Sequence, residues 1–561
     1  MNKLIITIIF PIILLAQGSL MLVGGGKENY NDWSDLPYQW FVNKADSGII
    51  INIDVDEASD WYPSYFRSLG ANNDSQALQI ANKTAANDSA TYKLLVRAKG
   101  IFMEGGNQWD YVSTWKNTLV AEAIKKVFAE GGVIGGTSAG LAVLGEVVFD
   151  AKFGSSYPDE AAENCRHSDI HLSNDLFDLM PGVLTDSHFH PRGRMGRLVP
   201  MMAKWTTDTG QELIGIGVDD KTAFCVDENY KGIVYGKASV TIVRPTENSV
   251  CESIAGEPVR YTNLRFDQLV HGIEYDLNKL TATNAEDKLQ PFDYQEESYN
   301  YTALSLDGND DNILNYGMVE VGNLTSSETN AWYGRLSLSD GLNTIPNSVI
   351  INKIWGNNDY YENRFMGGLY AIGENPGITA IYLGKNSTLD VDANGNCTVG
   401  NYTYFIDSRR MTYYGFPQKN DPTAPIPASN HPAIINARLH YFKDGDVYSL
   451  TDSTAVGIDK SGKIGEPIEF EVGYNYPNPF NNKTCLNFTL PEQSDIRIKI
   501  YDMKGSDLYS YSKANLQPGR HQFSWNALDN KGRNVSAGVY LLTVSGDNIP
   551  EQKVRKLLYL K

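Results

Sequence analysis

The sequence predicts a multidomain chain: an α/β domain with a mostly parallel sheet, a mostly-β middle region and a small C-terminal β-sandwich. Three observations lead there. From about Ser19 to Pro245, strand-like apolar runs alternate with helix-like runs. From Cys251 to Asp452 the chain is rich in Tyr, Asn, Gly and Thr and reads as strands and loops. From Ile468 to Lys561, short alternating strands recur between turn signals. A length of 561 residues fits about three or four domains.

Met1–Gly18 reads as a secretory signal peptide. Lys3 gives the positive start, Leu4–Leu15 the apolar run, and Ala16-Gln17-Gly18 the small residues of a cleavage site. The run is short for a bilayer span. Leu20–Val23, followed by Gly24-Gly25-Gly26, reads as the first core strand. Further strands are expected at Gly48–Ile53, Leu94–Ala98, Gly132–Ile134, Val183–Thr185 and Leu213–Val218, with helices at Tyr62–Leu69 and Trp115–Glu130. In the second helix, Leu119/Val120, Ala123/Ile124 and Val127/Phe128 recur every four residues, and Gly131 closes it.

The next segment carries chemistry. Val133-Ile134 runs into Gly136-Thr137-Ser138-Ala139-Gly140, a G-x-S-x-G turn of the nucleophile-elbow type. Glycines on both sides of the serine allow a sharp reversal from strand to helix. The hydroxyl then projects from the sheet edge, where helix-start amides can bind an oxyanion. A serine nucleophile needs a base, and none of the eight histidines precedes Ser138. His167, His171, His188, His190 and His271 follow it. His188 lies at a strand end beside Arg192, Arg194 and Arg197, and the strand Leu213–Val218 ends in Asp219-Asp220. Strand ends of a parallel sheet are where such sites assemble, so Ser138, His188 and either aspartate can meet at one edge.

Four ordered motifs resemble cyanophycinase and peptidase family S51 over about Ser19–Val243. They are Gly105-Gly106-Asn107-Gln108, Gly136–Gly140, the set Asp186/His188/Phe189/Arg192/Arg194/Arg197/Leu198, and Gly215–Ala223. The resemblance implies a three-layer α/β fold of the class I glutamine-amidotransferase-like kind. It implies Ser138 as nucleophile, His188 as base and an orienting acid in Asp219-Asp220, with Asp220 the first choice. Gly106, Gln108, Asp186, Arg192, Arg194 and Arg197 would bind substrate; Gly105, Gly106 and Ala139 would hold the oxyanion. No cofactor is expected. The implied activity is that of a serine-type exopeptidase acting on aspartyl peptides or on cyanophycin, a polyaspartate with arginine on each β-carboxyl. Arginine forks suit its carboxylates. An Asp-specific dipeptidase like peptidase E, or a non-catalytic surface-binding protein, are the alternatives. Ser187 stands where cyanophycinases carry glutamine, Leu141 where they carry alanine, and Asp219-Asp220 where they carry Asp-Glu.

The middle region, 251–452, contains a faint internal repeat. Asn263-Leu264-Arg265 is echoed by Asn436-Ala437-Arg438, Val218–Asp227 by Leu383–Asp392, and Met195–Leu198 by Met366–Leu369. A degenerate partial copy of the first domain, 19–250, would account for this. Gly384 and Lys385 align with Asp219 and Asp220, and Trp355–Glu362, opposite His188, has no histidine. Such a copy would be catalytically dead.

After a linker at 453–467, the final module opens with Tyr476-Pro477-Asn478-Pro479-Phe480. It continues through Ile500–Gly505 and Trp525…Asp529…Gly532-Arg533…Gly538-Val539-Tyr540. It resembles the type A sorting domain of the type IX secretion system, with an immunoglobulin-like fold similar to flagellar-hook-capping sandwiches. The resemblance implies export to the surface or medium, with the secretion machinery as partner. A homodimer is a further expectation. The net charge of −19, without a basic stripe, argues against nucleic acid. Five cysteines without C-x-x-C do not make a disulfide scaffold. His167-x-x-x-His171 has zinc-like spacing with Cys165, Asp186 and His190 near in sequence, but Ser168-Asp169-Ile170 is a poor helix. No metal is expected.

Overall fold

The structure is a computed structural model. It describes residues 18–295, 298–355, 362–417, 430–451, 455–456, 471–472, 480, 484–490, 493–516, 519–547 and 552–560. All of the expected signal peptide but Gly18, most of the linker and the 473–479 opening of the last module lie outside the described residues.

Two large sheets dominate. The first has nine strands in the order Thr281–Ala282, Glu274–Asp276, Lys231–Gly236, Thr222–Val226, Ser19–Val23, Val133–Thr137, Gly100–Met103, Ile50–Asp54 and Gln76–Gln79. The last five are parallel and the rest antiparallel. The central parallel strands are buried end to end, which is why they read as unbroken apolar runs. Successive side chains serve opposite layers. Leu20 and Leu22 share a core with Ile124 and Trp115 of the helical layer, whereas Met21 and Val23 pack with Phe41 and Tyr65 on the other face. The strand expected at Leu94–Ala98 is corrected: Ser89–Leu95 is a helix, capped by Asp88 accepting from the Thr91 amide, and the strand is Gly100–Met103.

The second sheet has thirteen strands; His188 and Asp219-Asp220 follow two of them, whereas Ser138 follows Val133–Thr137 of the first sheet. Val183–Asp186 and Ile214–Val218 run parallel, followed by antiparallel Ser239–Arg244 and Arg260–Val270. Arg260–Val270 then pairs antiparallel with Ala433–Lys443. Beyond it lie Tyr402–Asp407, Thr379–Leu383, Ile345–Ile351, Gly317–Gly322 and Ser337–Asp340. Pairing therefore runs through the expected 250/251 boundary without a break, because Arg260–Val270 belongs to the same sheet as Ser239–Arg244. Core residues from both sides, including Leu198, Met202, Phe365 and Tyr441, form one cluster.

The C-terminal module is a sandwich of a three-stranded sheet (Glu471–Val472, Thr484–Leu490, Gly519–Trp525) and a four-stranded one (Asp507–Leu516, Ser494–Tyr501, Gly538–Gly546, Lys553–Tyr559). Phe488, Ile498, Trp525, Tyr540 and Leu557 fill its core. No helix among the described residues is long and apolar enough to cross a membrane. None of Cys165, Cys225, Cys251 and Cys397 is in a disulfide.

Candidate active site

Ser138 sits between the strand Val133–Thr137 and the short helix Ala139–Ala142, with φ 55° and ψ −113°. That conformation is costly for a residue with a Cβ and persists only where its surroundings enforce it. Two glycines allow it. A Cβ on Gly136 would lie 2.4 Å from the Gly140 carbonyl, and one on Gly140 would lie 2.4 Å from the Met103 oxygen. Backbone bonds from Ser138 to Val23 (3.0 Å) and from Gly140 to Glu104 (3.0 Å) pin the turn to the neighbouring strands.

The Ser138 hydroxyl donates to His188 Nε2 at 2.8 Å. His188 Nδ1–H donates to the Asp220 carboxylate, which fixes the tautomer that leaves Nε2 facing the serine. His188 itself has φ 46°, and its amide donates to Gly24 O at 2.8 Å. Gly25 backs the ring: a Cβ there would lie 2.2 Å from His188 Cε1. Burial pulls the imidazole below its ordinary pKa, and Arg194 and Arg192 add to this, against the opposing Asp220 carboxylate. The ring is therefore neutral at neutral pH, and Nε2 can accept the Ser138 proton as Oγ attacks a carbonyl.

Asp219 does not join this chain. Residues 219 and 220 follow the strand Ile214–Val218, so their side chains diverge. Asp219 is fully buried and accepts from the His190 amide (2.8 Å), His190 Nδ1 (3.1 Å) and the Ser239 hydroxyl (2.6 Å). Burial opposes its charge, but these partners, His190 foremost, hold it at about 2. His190 is thus turned away from Ser138. His431 and Glu328 complete this buried cluster; their nearest atoms lie 3.6 Å apart. Glu328 is pushed well above the carboxylate range, by burial first and then by the Asp219 and Asp220 charges.

A cavity of about 300 Å³ opens beside Ser138. Gly106, Gln108, Ala139, Arg192 and Arg194 line it, with Asn107, Phe149, Ser155 and Ser187. Gly105 abuts the serine; a Cβ there would lie 3.3 Å from Ser138 Cβ. Asp186 and Arg197, expected to bind substrate, do not line the cavity. They form a buried two-pronged ion pair, Nε–Oδ2 2.8 Å and Nη2–Oδ1 2.7 Å, that consumes both charges internally. Burial alone would raise the Asp186 pKa, but Arg197 and Arg194 hold it below the usual range. Arg194 is anchored by Ser187 O (2.6 Å) and Asp186 (3.1 Å) at the cavity wall. His167 and His171 do not share a helical face: His171 pairs with Asp150 at 2.7 Å, and His167 faces Asp169.

Sequence reasoning passed over Gly24-Gly25, whose glycine run after the first strand was the available signal. It also passed over Glu328 and His431, which carry no local signal.

The sequence places these residues at one sheet edge, but Ser138 follows a strand of the first sheet and His188 and Asp220 follow strands of the second. A serine–histidine–carboxylate chain assembled where these strand ends meet, beside a basic cavity, defines an α/β serine-type hydrolase. A profile of peptidase family S51 matches residues 54–233, and one of the FlgD Ig-like domain matches residues 479–549. The chain is similar to a cyanophycinase of Trichormus variabilis, 32% identical over 281 residues, 48% of this chain and 89% of that one. It is also similar to one of Geminocystis herdmanii, 28% identical over 269 residues, 46% and 94% of the two chains. Among solved structures, a peptidase from an acI-B1 Actinobacterium is 22% identical with a TM-score of 0.32, covering 46% of this chain and 97% of its own. The chain belongs to peptidase family S51 and is a serine-type exopeptidase homologous to cyanophycinases.

Proposed function

We propose that the protein hydrolyses aspartyl-containing peptides, cyanophycin among them, through Ser138 as nucleophile, His188 as base and Asp220 as the orienting acid. The observation that carries this reading is the Ser138–His188–Asp220 hydrogen-bonded chain facing a cavity walled by Arg192 and Arg194. Oγ attacks the carbonyl as Nε2 takes its proton; the imidazolium then protonates the leaving amine, and water hydrolyses the acyl-enzyme by the same route. The amides of Ala139 and of the Gly105-Gly106 turn receive the oxyanion. Arg192 and Arg194 receive a substrate carboxylate.

A second reading has its own support. The cavity's volume is at the small end of ligand pockets, roughly 300–1,000 Å³, which favours a short aspartyl peptide over an interior stretch of polymer. Incubating the purified protein with cyanophycin and with Asp-X dipeptides separates the two. Release of β-Asp-Arg from the polymer supports the first, cleavage of dipeptides alone the second, and no cleavage of either refutes both.

Export falls to the two terminal segments. Met1–Gly18 directs secretion, and the C-terminal sandwich engages the type IX machinery for passage to the surface. Its support is the match to an Ig-like module with a core of its own. Deleting 468–561 is expected to leave hydrolysis intact and hold the protein in the periplasm; surface arrival of the truncated chain would refute it.

A further inference from the structure

The strand pairings of the first half recur in the second, residue against residue. Ser19–Val23 lies antiparallel to Thr222–Val226 with Leu20 opposite Val226; Leu304–Asp307 lies antiparallel to Thr388–Val391 with Leu304 opposite Val391. Val183 pairs in parallel with Ile214, as Ser348 does with Thr379. Val240 faces Val218, as Thr403 faces Leu383. Tyr275 faces Ala282, as Tyr448 faces Ala455. Single hydrogen bonds repeat as well. Gly24 N donates to Thr222 O and Gly308 N to Ser387 O; Phe189 N donates to Val218 O and Ile354 N to Leu383 O. The turn that bears His188 at φ 46° is matched by one that bears Lys353 at φ 46°. Lys353 is therefore the counterpart of His188; most of the region that the sequence sets opposite it, 356–361, lies outside the described residues.

The two sets meet at the antiparallel pair Arg260–Val270 and Ala433–Lys443. There Arg265 faces Arg438 and Leu264 faces Leu439. Arg438 is the counterpart of Arg265, so each arginine faces its own equivalent, as across the dyad of a symmetric dimer. One segment has no second version. Between the equivalent strands, residues 24–146 carry the elbow and four parallel strands, whereas 308–316 make a short connection.

The second set also touches the turn that carries the catalytic histidine. Asn363 Nδ2 donates to His190 O at 2.9 Å, and Ser327 Oγ donates to Asn363 O at 3.2 Å. The Phe365 ring stacks on His190 at 6.0 Å, and Tyr441 OH donates to Met195 O at 2.8 Å.

We infer that residues 304–456 are a second copy of the framework formed by 19–23 and 147–282, lacking the elbow-bearing segment. This copy occupies the place of a partner subunit, where Asn363 positions the His188–Arg194 turn of the first. Asn363 acts through the backbone of His190 and touches no reacting atom, so it is a positioning residue. Its role rests on the catalytic reading of Ser138 and His188.

The test uses the full chain and a fluorophosphonate, which labels a serine activated by histidine whatever the natural substrate. The unmodified protein is expected to be labelled at Ser138, one site per chain, and to show the mass of one chain by light scattering. Asn363→Ala is expected to lower the plateau of the labelling rate against pH about tenfold with the thermal transition unchanged. If that variant does not fold, Ser327→Ala, one hydroxyl removed behind Asn363, is expected to cost about threefold. Unaltered labelling in a folded variant, with the unmodified protein labelled, overturns the positioning role alone. A stable two-chain species overturns the partner-like placement of the second copy. No labelling of the unmodified protein overturns the catalytic reading, and the role of Asn363 with it.

Discussion

Two turns that share a φ of 46° and a backbone hydrogen bond carry very different chemistry. In the first half, His188 faces Ser138 and is held by Asp220; in the second, Lys353 forms an ion pair with Asp311 at 2.7 Å, and Lys385 stands where Asp220 does. The strands beneath are paired alike. Like pairing alone therefore does not set the chemistry: the first half carries His188 and Asp220 at its strand ends, and segment 24–146 adds Ser138 and Gly25, against which the imidazole sits.

Substituting Ser138→Ala removes the group that the first half has and the second lacks a match for. Hydrolysis is expected to fall roughly 10⁴–10⁶-fold with the fold kept; full activity would break the comparison. Asp220→Asn moves the first turn one step toward the second by leaving His188 in the wrong tautomer. A loss of roughly 10³–10⁴-fold in kcat is expected. Asp219→Asn, which reaches the site only through His190, should cost about tenfold, and steady-state kinetics on both variants would expose a reversed order. Arg192→Leu removes one guanidinium from the cavity wall; KM for aspartyl peptides should rise about 10–100-fold with kcat less affected.

The pH dependence separates catalysis from stability. His188 is held below its ordinary value, chiefly by burial, so the acidic limb of kcat/KM should have its midpoint under pH 6.5. His431 and His440 are buried and held at about 4. The unfolded chain protonates its histidines near 6.5, before the folded protein does, so acidification favours unfolding. Stability is fully present above pH 6.5 and lost as pH falls towards 4, by about 3 kcal/mol for each histidine. Chemical denaturation at pH 7 and pH 4.5 measures it; equal midpoints would show that these rings do not titrate on unfolding.

Much of the site was legible because its chemistry needs local patterns. Gly136-Thr137-Ser138-Ala139-Gly140 announces an elbow, and the continuous apolar strands announce a parallel sheet. Asp186 and Arg197 misled, since an arginine near an active site reads the same whether it faces substrate or a buried carboxylate. Leu94–Ala98 misled because a short apolar run carries no period, and the Asp88 cap decides for helix. Asn363, Glu328 and His431 were out of reach, because only the pairing of Arg260–Val270 with Ala433–Lys443 brings them to the first half. The faint repeat in the letters was the one hint of that pairing.

That central pair also sets the order of events during synthesis. Arg260–Val270 leaves the ribosome with one flank already matched by Ser239–Arg244 and the other bare, and its partner is Ala433–Lys443, far downstream. Until those residues emerge, the nascent catalytic half presents an open, apolar strand edge that invites pairing with other chains. Maturation of the serine site is thus tied to translation of a region that contributes none of the three residues in its catalytic chain.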